Sequence, residues 1–88
     1  MPKNTEERGK LVGKVTHYFS KIGVAIVELS GVLRIGDSIR IVGGETDFTQ
    51  QVESMEINHK RVNIAKKGDS VGIKVKQKAR EGYRVYKL

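Results

Sequence analysis

The reactive side chains of this sequence are two histidines, a pair of glutamates and one glycine–lysine run, and none stands in a pattern that a reaction needs. Gly9 to Val15 reads G-K-L-V-G-K-V. A phosphate-binding loop keeps four residues between its glycines and places Ser or Thr after the lysine, so that backbone N–H groups and a hydroxyl hold phosphate and metal. Here three residues separate Gly9 from Gly13, and Val15 follows Lys14. The flanking alternation is that of a strand, with no helix to lend its N-terminus to an anion. His17 shares a strand face with Val15 and Phe19, the place of a half-buried, hydrogen-bonded imidazole. His59 stands beside Lys60 and Arg61 in a basic stretch. Glu53 and Glu56 are three apart, so an unbroken strand turns them to opposite faces and no carboxylate pair forms for acid–base work. The sequence holds no cysteine, hence no disulfide, thiolate metal site or cysteine nucleophile. The expectation is a chain that is not an enzyme, with no catalytic residue, no cofactor and no metal.

What the sequence carries in quantity is positive charge. The formal net charge is +7, and it is unevenly placed. Residues 1–57 hold 7 Lys/Arg against 8 Asp/Glu, whereas residues 58–88 hold 10 against 2. Such asymmetry marks a face for a polyanion, most often nucleic acid. Lys74, Lys76 and Lys78 project from one strand face at about 6.6–6.8 Å spacing, and Arg80 continues the row. Lys60, Arg61, Lys66 and Lys67 come from the preceding connection and Arg84 from the last strand. If the last strands are neighbours, these nine side chains converge into one patch that contacts phosphates without reading sequence. Lysines on an exposed strand also block edge-to-edge aggregation. Tyr18, Tyr83 and Tyr86 make no interleaved stacking platform.

The elements that must position these residues read as β throughout. A length of 88 residues is one domain, here residues 10–88 after a loose polar tail at residues 1–9. No apolar run approaches the roughly 20 residues that span a membrane, and the N-terminus lacks the apolar stretch of a signal peptide, so a cytoplasmic protein is expected. Charged residues at 31%, with three Asn and three Gln, lean toward a thermophile. Lys10 to Phe19 alternates with Leu11, Val15 and Phe19 on one face. Ile22 to Leu29 is nearly continuous apolar, as in a strand buried on both sides. Ser38 to Val42 alternates after a turn at Gly36-Asp37. Phe48 to Ile57 reads as a strand whose phase slips between Val52 and Met55, which a bulge near Glu53-Ser54 would produce. Ser70 to Lys78 alternates with Val71, Ile73 and Val75 inward, and Tyr83 to Leu88 closes the chain. Short strands between glycine-containing turns predict a small barrel or sandwich. Ile35-Gly36-Asp37-Ser38-Ile39 and Lys67-Gly68-Asp69-Ser70-Val71 share one turn chemistry.

From about Gly13 to Leu88 these pieces fall in the order of a known family. Gly31-Val32-Leu33-Arg34-Ile35-Gly36-Asp37-Ser38-Ile39 is similar to "G-x-L-x-x-G-D-x-[IV]", and Ala65-Lys66-Lys67-Gly68-Asp69-Ser70-Val71-Gly72 to "A-x-x-G-[DE]-x-V-G". Val52-Glu53-Ser54-Met55-Glu56 lies between them, and Arg80-Glu81-Gly82-Tyr83-Arg84-Val85 resembles the closing turn with its Arg-Gly pair altered. The chain resembles the β-barrel second domain of translational GTPases such as elongation factor Tu. The resemblance implies an all-β fold, a small closed antiparallel barrel of about six strands. It also implies a translation-factor-like binding module whose partner is RNA or the ribosome. The GTPase domain is not in this sequence, so no GTP is expected. The family's aminoacyl-end pocket matches only at Glu56, since its aromatic is Asn58 here and its asparagine Ser70. Similar barrels occur as accessory modules outside translation, so the alternative is an adaptor that docks on a separate enzyme or GTPase subunit.

Overall fold

The computed structural model of the chain describes residues 9–88. The tail expected at residues 1–9 lies outside the described residues except for Gly9. The described residues form ten strands and no helix: β1 (Lys10–Phe19), β2 (Val24–Leu29), β3 (Leu33–Arg34), β4 (Ser38–Gly43), β5 (Thr46–Gln51), β6 (Met55–Ile57), β7 (Lys60–Arg61), β8 (Ile64–Ala65), β9 (Ser70–Lys74) and β10 (Arg84–Lys87). Eight of them make one antiparallel sheet in the order β5-β4-β10-β1-β2-β9-β6-β7, and β3 pairs with β8 in a second sheet. Six strands have four residues or more and make the body of the all-β fold; the other four are short pairings of two or three residues.

The turns follow from local chemistry. At Arg34 to Asp37 the Asp37 N–H bonds the Arg34 carbonyl at 3.1 Å, and Gly36 takes φ 94°. At Lys66 to Asp69 the same bond is 2.9 Å and Gly68 has φ 93°. Glycine in third position with positive φ is the type II pattern, where a Cβ is strained. In both turns the aspartate carboxylate also accepts the N–H of the first residue, Arg34 at 2.8 Å and Lys66 at 2.9 Å. The shared turn-and-strand motif is therefore one structure used twice.

The strand faces depart from simple alternation in β1. Its ladder shifts register between Leu11 and Gly13 against β10, and between Val15 and His17 against β2. These bulges turn Val12 and Val15 into the core and leave Leu11 and Phe19 about half exposed. The single apolar face expected from Leu11 to Phe19 is thus corrected, because each extra residue reverses the parity of the strand beyond it. Ile22 lies in the turn before β2; Ala25, Val27 and Leu29 are buried, while Val24 and Ile26 are half-buried against Gly72.

The expected bulge near Glu53 is instead a corner. Val52 and Met55 are both buried, but β5 ends at Gln51 and pairs with β4, whereas β6 starts at Met55 and pairs with β9. Val52 is held at the corner by its N–H to the Asp37 carbonyl at 2.9 Å and by the Gly36 N–H to its own carbonyl at 2.8 Å. The seam between β5 and the end of β9 is bridged by a side chain. Buried Gln50 donates from Nε2 to the Lys74 carbonyl at 2.9 Å and accepts the Lys76 N–H on Oε1 at 2.8 Å. A side-chain amide there takes the place of one rung of a ladder.

One aliphatic core fills the interior, from Val12 and Val15 through Leu33, Ile39 and Ile41 to Met55, Ile73 and Val85. No buried side-chain polar atom among the described residues lacks a partner.

Candidate functional site

The expected basic face is dispersed. β10 lies between β1 and β4, and β9 between β2 and β6, so the last two long strands are separated by β1 and β2. Lys60 and Arg61 sit at the far edge in the β6–β7 hairpin, whose two-residue tip, Asn58 and His59, has φ 54° and 67°. Glu56 lies beside them on β6, paired with Gly72 and Arg61. Lys74 ends β9 on the outer face, and Lys76 lies beside Gln50 past the strand end. Lys78 and Arg80 line a hollow with His17, Ser20 and Glu81. There the His17 Nδ1 stands 3.7 Å from a Glu81 carboxylate oxygen, both side chains more than half exposed, and the imidazole meets the Phe19 ring edge-on at 4.4 Å. Lys66 and Lys67 lie in the β8–β9 turn. Of the nine residues, Lys67 and Arg84 are brought into one hollow with Lys14 of β1.

That hollow, of about 480 Å³, lies over β1, β2, the β8–β9 turn and β10. Arg84 and Lys14 are register partners across β10 and β1, and Lys14 and Glu28 are partners across β1 and β2. The three side chains therefore form one outward row, while their chain neighbours Val85, Val15 and Val27 are buried on the other face. Lys67 faces them from a turn pinned to β2: the Gly68 N–H bonds the Leu29 carbonyl at 3.0 Å, and the Leu29 N–H bonds the Asp69 carbonyl at 2.9 Å. Leu11 and Leu29 supply apolar wall. Lys14, Glu28 and Leu11 are the residues that sequence reasoning missed. The signal was the parity break around Gly13, which puts Leu11 on the same outer face as Lys14.

A second hollow, of about 400 Å³, lies across β4 and β10 and shares Arg84. Its Arg40 is engaged by Asp47 through hydrogen bonds at 2.8 and 2.6 Å. Those bonds hold the Asp47 carboxyl below its ordinary range and raise the Arg40 guanidinium above its own. Among the described residues no group of three His, Cys, Asp or Glu side chains is placed to hold a metal ion. No helix there is long and apolar enough to cross a membrane.

Known proteins place this geometry. Residues 24–85 match the family model described as elongation factor Tu domain 2. Over 78 residues the chain is 49% identical to an uncharacterized protease of Methanocaldococcus jannaschii, covering 88% of this chain and 19% of that protein. Over 79 residues it is 42% identical to a collagenase of Porphyromonas gingivalis, covering 88% of this chain and 22% of that protein. The chain thus spans about a fifth of the length of the curated relatives it matches. The solved C-terminal domain of a Geobacillus thermoleovorans protein described as a U32 peptidase superposes with a TM-score of 0.85 at 25% identity, covering 100% of this chain and 99% of that one. Its selenomethionine variant gives 0.84, with 88% and 98% covered.

These relatives correct the expectation of a translation-factor module whose partner is RNA or the ribosome: they are named protease, collagenase and U32 peptidase. The physical reason for the error is that the recognised motifs are turn-and-strand chemistry. They specify the barrel and carry over to any protein that uses it. The chain belongs to the elongation factor Tu domain 2 family of β-barrels, and the relatives described above are named protease, collagenase and U32 peptidase rather than translation factors.

Proposed function

We propose that the chain is a non-hydrolytic accessory barrel of the U32 peptidase type, which serves a peptidase catalytic unit instead of cutting peptide bonds itself. The observation that carries this is the match in extent. The chain matches 99% of one solved terminal domain of a U32-type protein, yet covers only 19% of a relative named protease. The use of its polar groups supports the same reading. Asp37 and Asp69 close turns, Asp47 holds Arg40, and Gln50 bridges the seam. Peptide hydrolysis asks for a nucleophile or activated water beside a base and oxyanion donors, all aimed at one point. Here Asp37, Asp69 and Gln50 are bonded to the barrel's own backbone and Asp47 to Arg40.

The test uses the 49%-identical relative as a whole protein. Hydrolysis of a fluorogenic casein is measured for that protein, for a version lacking the matching segment, and for the present chain alone. We expect background rates from the chain alone and a lower kcat/KM without the segment, partly restored when the chain is added in trans. Hydrolysis by the chain alone, or an unchanged kcat/KM without the segment, overturns the proposal.

A further inference from the structure

We infer that the hollow over β1, β2 and the Lys66–Asp69 turn is a binding site for a polypeptide segment that presents an aliphatic side chain next to a carboxylate. The inference rests on the accessory-barrel reading for its choice of a polypeptide as occupant. The rest of it comes from charge and shape.

Three cations, Lys14, Lys67 and Arg84, stand around the hollow with one carboxylate, Glu28. Among the described residues none of the three cations is within ion-pair distance of a carboxylate; the pairs that do form are Arg40–Asp47, Lys87–Asp37 and the His17–Glu81 contact. Lys14 and Arg84 are directly opposed across antiparallel strands. Like charges in that position are destabilising, so the barrel carries a cost that an incoming anion relieves. The neighbouring hollow makes the contrast, since its Arg40 is already neutralised by Asp47.

The shape follows from Gly13. A Cβ there would point to the core, 2.6 Å from the buried Val27 Cγ1 and 2.8 Å from the Glu28 carbonyl oxygen, so β1 and β2 lie close together beneath the hollow. Gly13 and Gly68 line the hollow with backbone alone. Leu11, 47% exposed, and the edge of Leu29 give it an apolar wall. A volume of about 480 Å³ is within the range of small-ligand and peptide subsites, about 300–1,000 Å³. An aliphatic side chain fits the wall while its neighbouring carboxylate meets Arg84 and Lys14. A nucleic-acid strand suits it poorly: Glu28 repels a run of phosphates, and the leucines offer no flat face for a base.

The experiment titrates the chain with a fluorescein-labelled heptapeptide whose aspartate–leucine–glutamate centre is flanked by glycines. Anisotropy gives the affinity, and amide chemical-shift mapping gives the location. Saturable binding with shifts at Gly13, Lys14, Glu28, Lys67 and Arg84 is expected. Lys14→Glu and Arg84→Glu should each weaken it by about tenfold or more, and Arg84→Gln by less. Glu28→Gln should tighten it, and Lys78→Glu, in the His17 hollow, should leave it unchanged. The substituted positions are all solvent-exposed, so the variants should keep the wild-type amide spectrum elsewhere. Replacing the peptide's leucine by glycine should also weaken binding. Shifts that map elsewhere, affinity indifferent to the charge reversals, or a short single-stranded RNA that binds these same residues more tightly overturns the inference. A peptide that does not bind, with the segment still required by the whole relative, sinks this inference and spares the accessory reading. A peptide held in the hollow with the segment dispensable does the reverse.

Discussion

Gly43 holds another residue's side chain in place by having none of its own. A Cβ at position 43 would collide with the Tyr83 ring, which packs against the strand there. The ring is half-buried against the core, and its hydroxyl meets Thr46 Oγ1 at 3.3 Å. Gly43→Ala must push the ring away, break that contact and disturb the β4–β5 hairpin end. Overpacking of this kind costs about 1–3 kcal/mol. We expect urea denaturation to report a loss of about 2 kcal/mol with an unchanged m value. Adding Tyr83→Leu to Gly43→Ala should cost less than the sum of the two single changes, because the ring is the object struck. A single Gly43→Ala loss below about 0.5 kcal/mol would mean that the ring has room to move.

At the scale of the element, Gln50 decides whether β5 is an edge or a joint. Gln50→Leu keeps the volume and removes both bonds, leaving the Lys74 carbonyl and the Lys76 N–H facing an apolar side chain. Unsatisfied backbone groups cost about 1–3 kcal/mol each, so a loss of about 2–4 kcal/mol is expected. Hydrogen exchange gives the sharper readout: the Lys76 amide should exchange far faster in Gln50→Leu than in the wild type, and equal protection would show that Gln50 is not the bridge. This joint was not legible in the sequence, because its partners lie 24 and 26 residues along the chain and a lone Gln signals nothing locally. The G-D turns were legible for the opposite reason, since glycine, aspartate and the bond that closes them are all within four residues. β4 and β9 were legible as uninterrupted alternation. β1 was not, because its bulges insert residues that periodicity counts as ordinary. The site divides the same way: Lys67 and Arg84 stood out by charge, but only the order β10-β1-β2 reveals that Lys14 stands beside Arg84.

For the whole molecule the question is whether uneven charge or a shared core governs stability. The core residues come from both sheets, and the Gln50 seam and the Val52 corner tie the β5 edge to β9 and to the Gly36 turn. No half of the barrel retains an interior when the other opens, so unfolding should be a single transition. Its calorimetric enthalpy should be about 60 kcal/mol and equal the van't Hoff value. On the charge side, the sequence holds 17 Lys/Arg against 10 Asp/Glu, with the excess in residues 58–88. Among the described residues few of these cations meet a carboxylate. Repulsion between exposed cations is screened as the Debye length falls from about 30 Å at 0.01 M salt to about 8 Å at 0.15 M. The thermal midpoint should therefore rise with added NaCl. Arg84→Gln, which removes the charge opposite Lys14 and has uncharged Val42 on its other side, should raise the midpoint at low salt and do so less at high salt. A midpoint that falls with salt would mean that attractive pairs outweigh repulsion. It would also remove the electrostatic reason for an anion to seat between Lys14 and Arg84, so the same scan weighs both the stability of the barrel and the charge on its hollow.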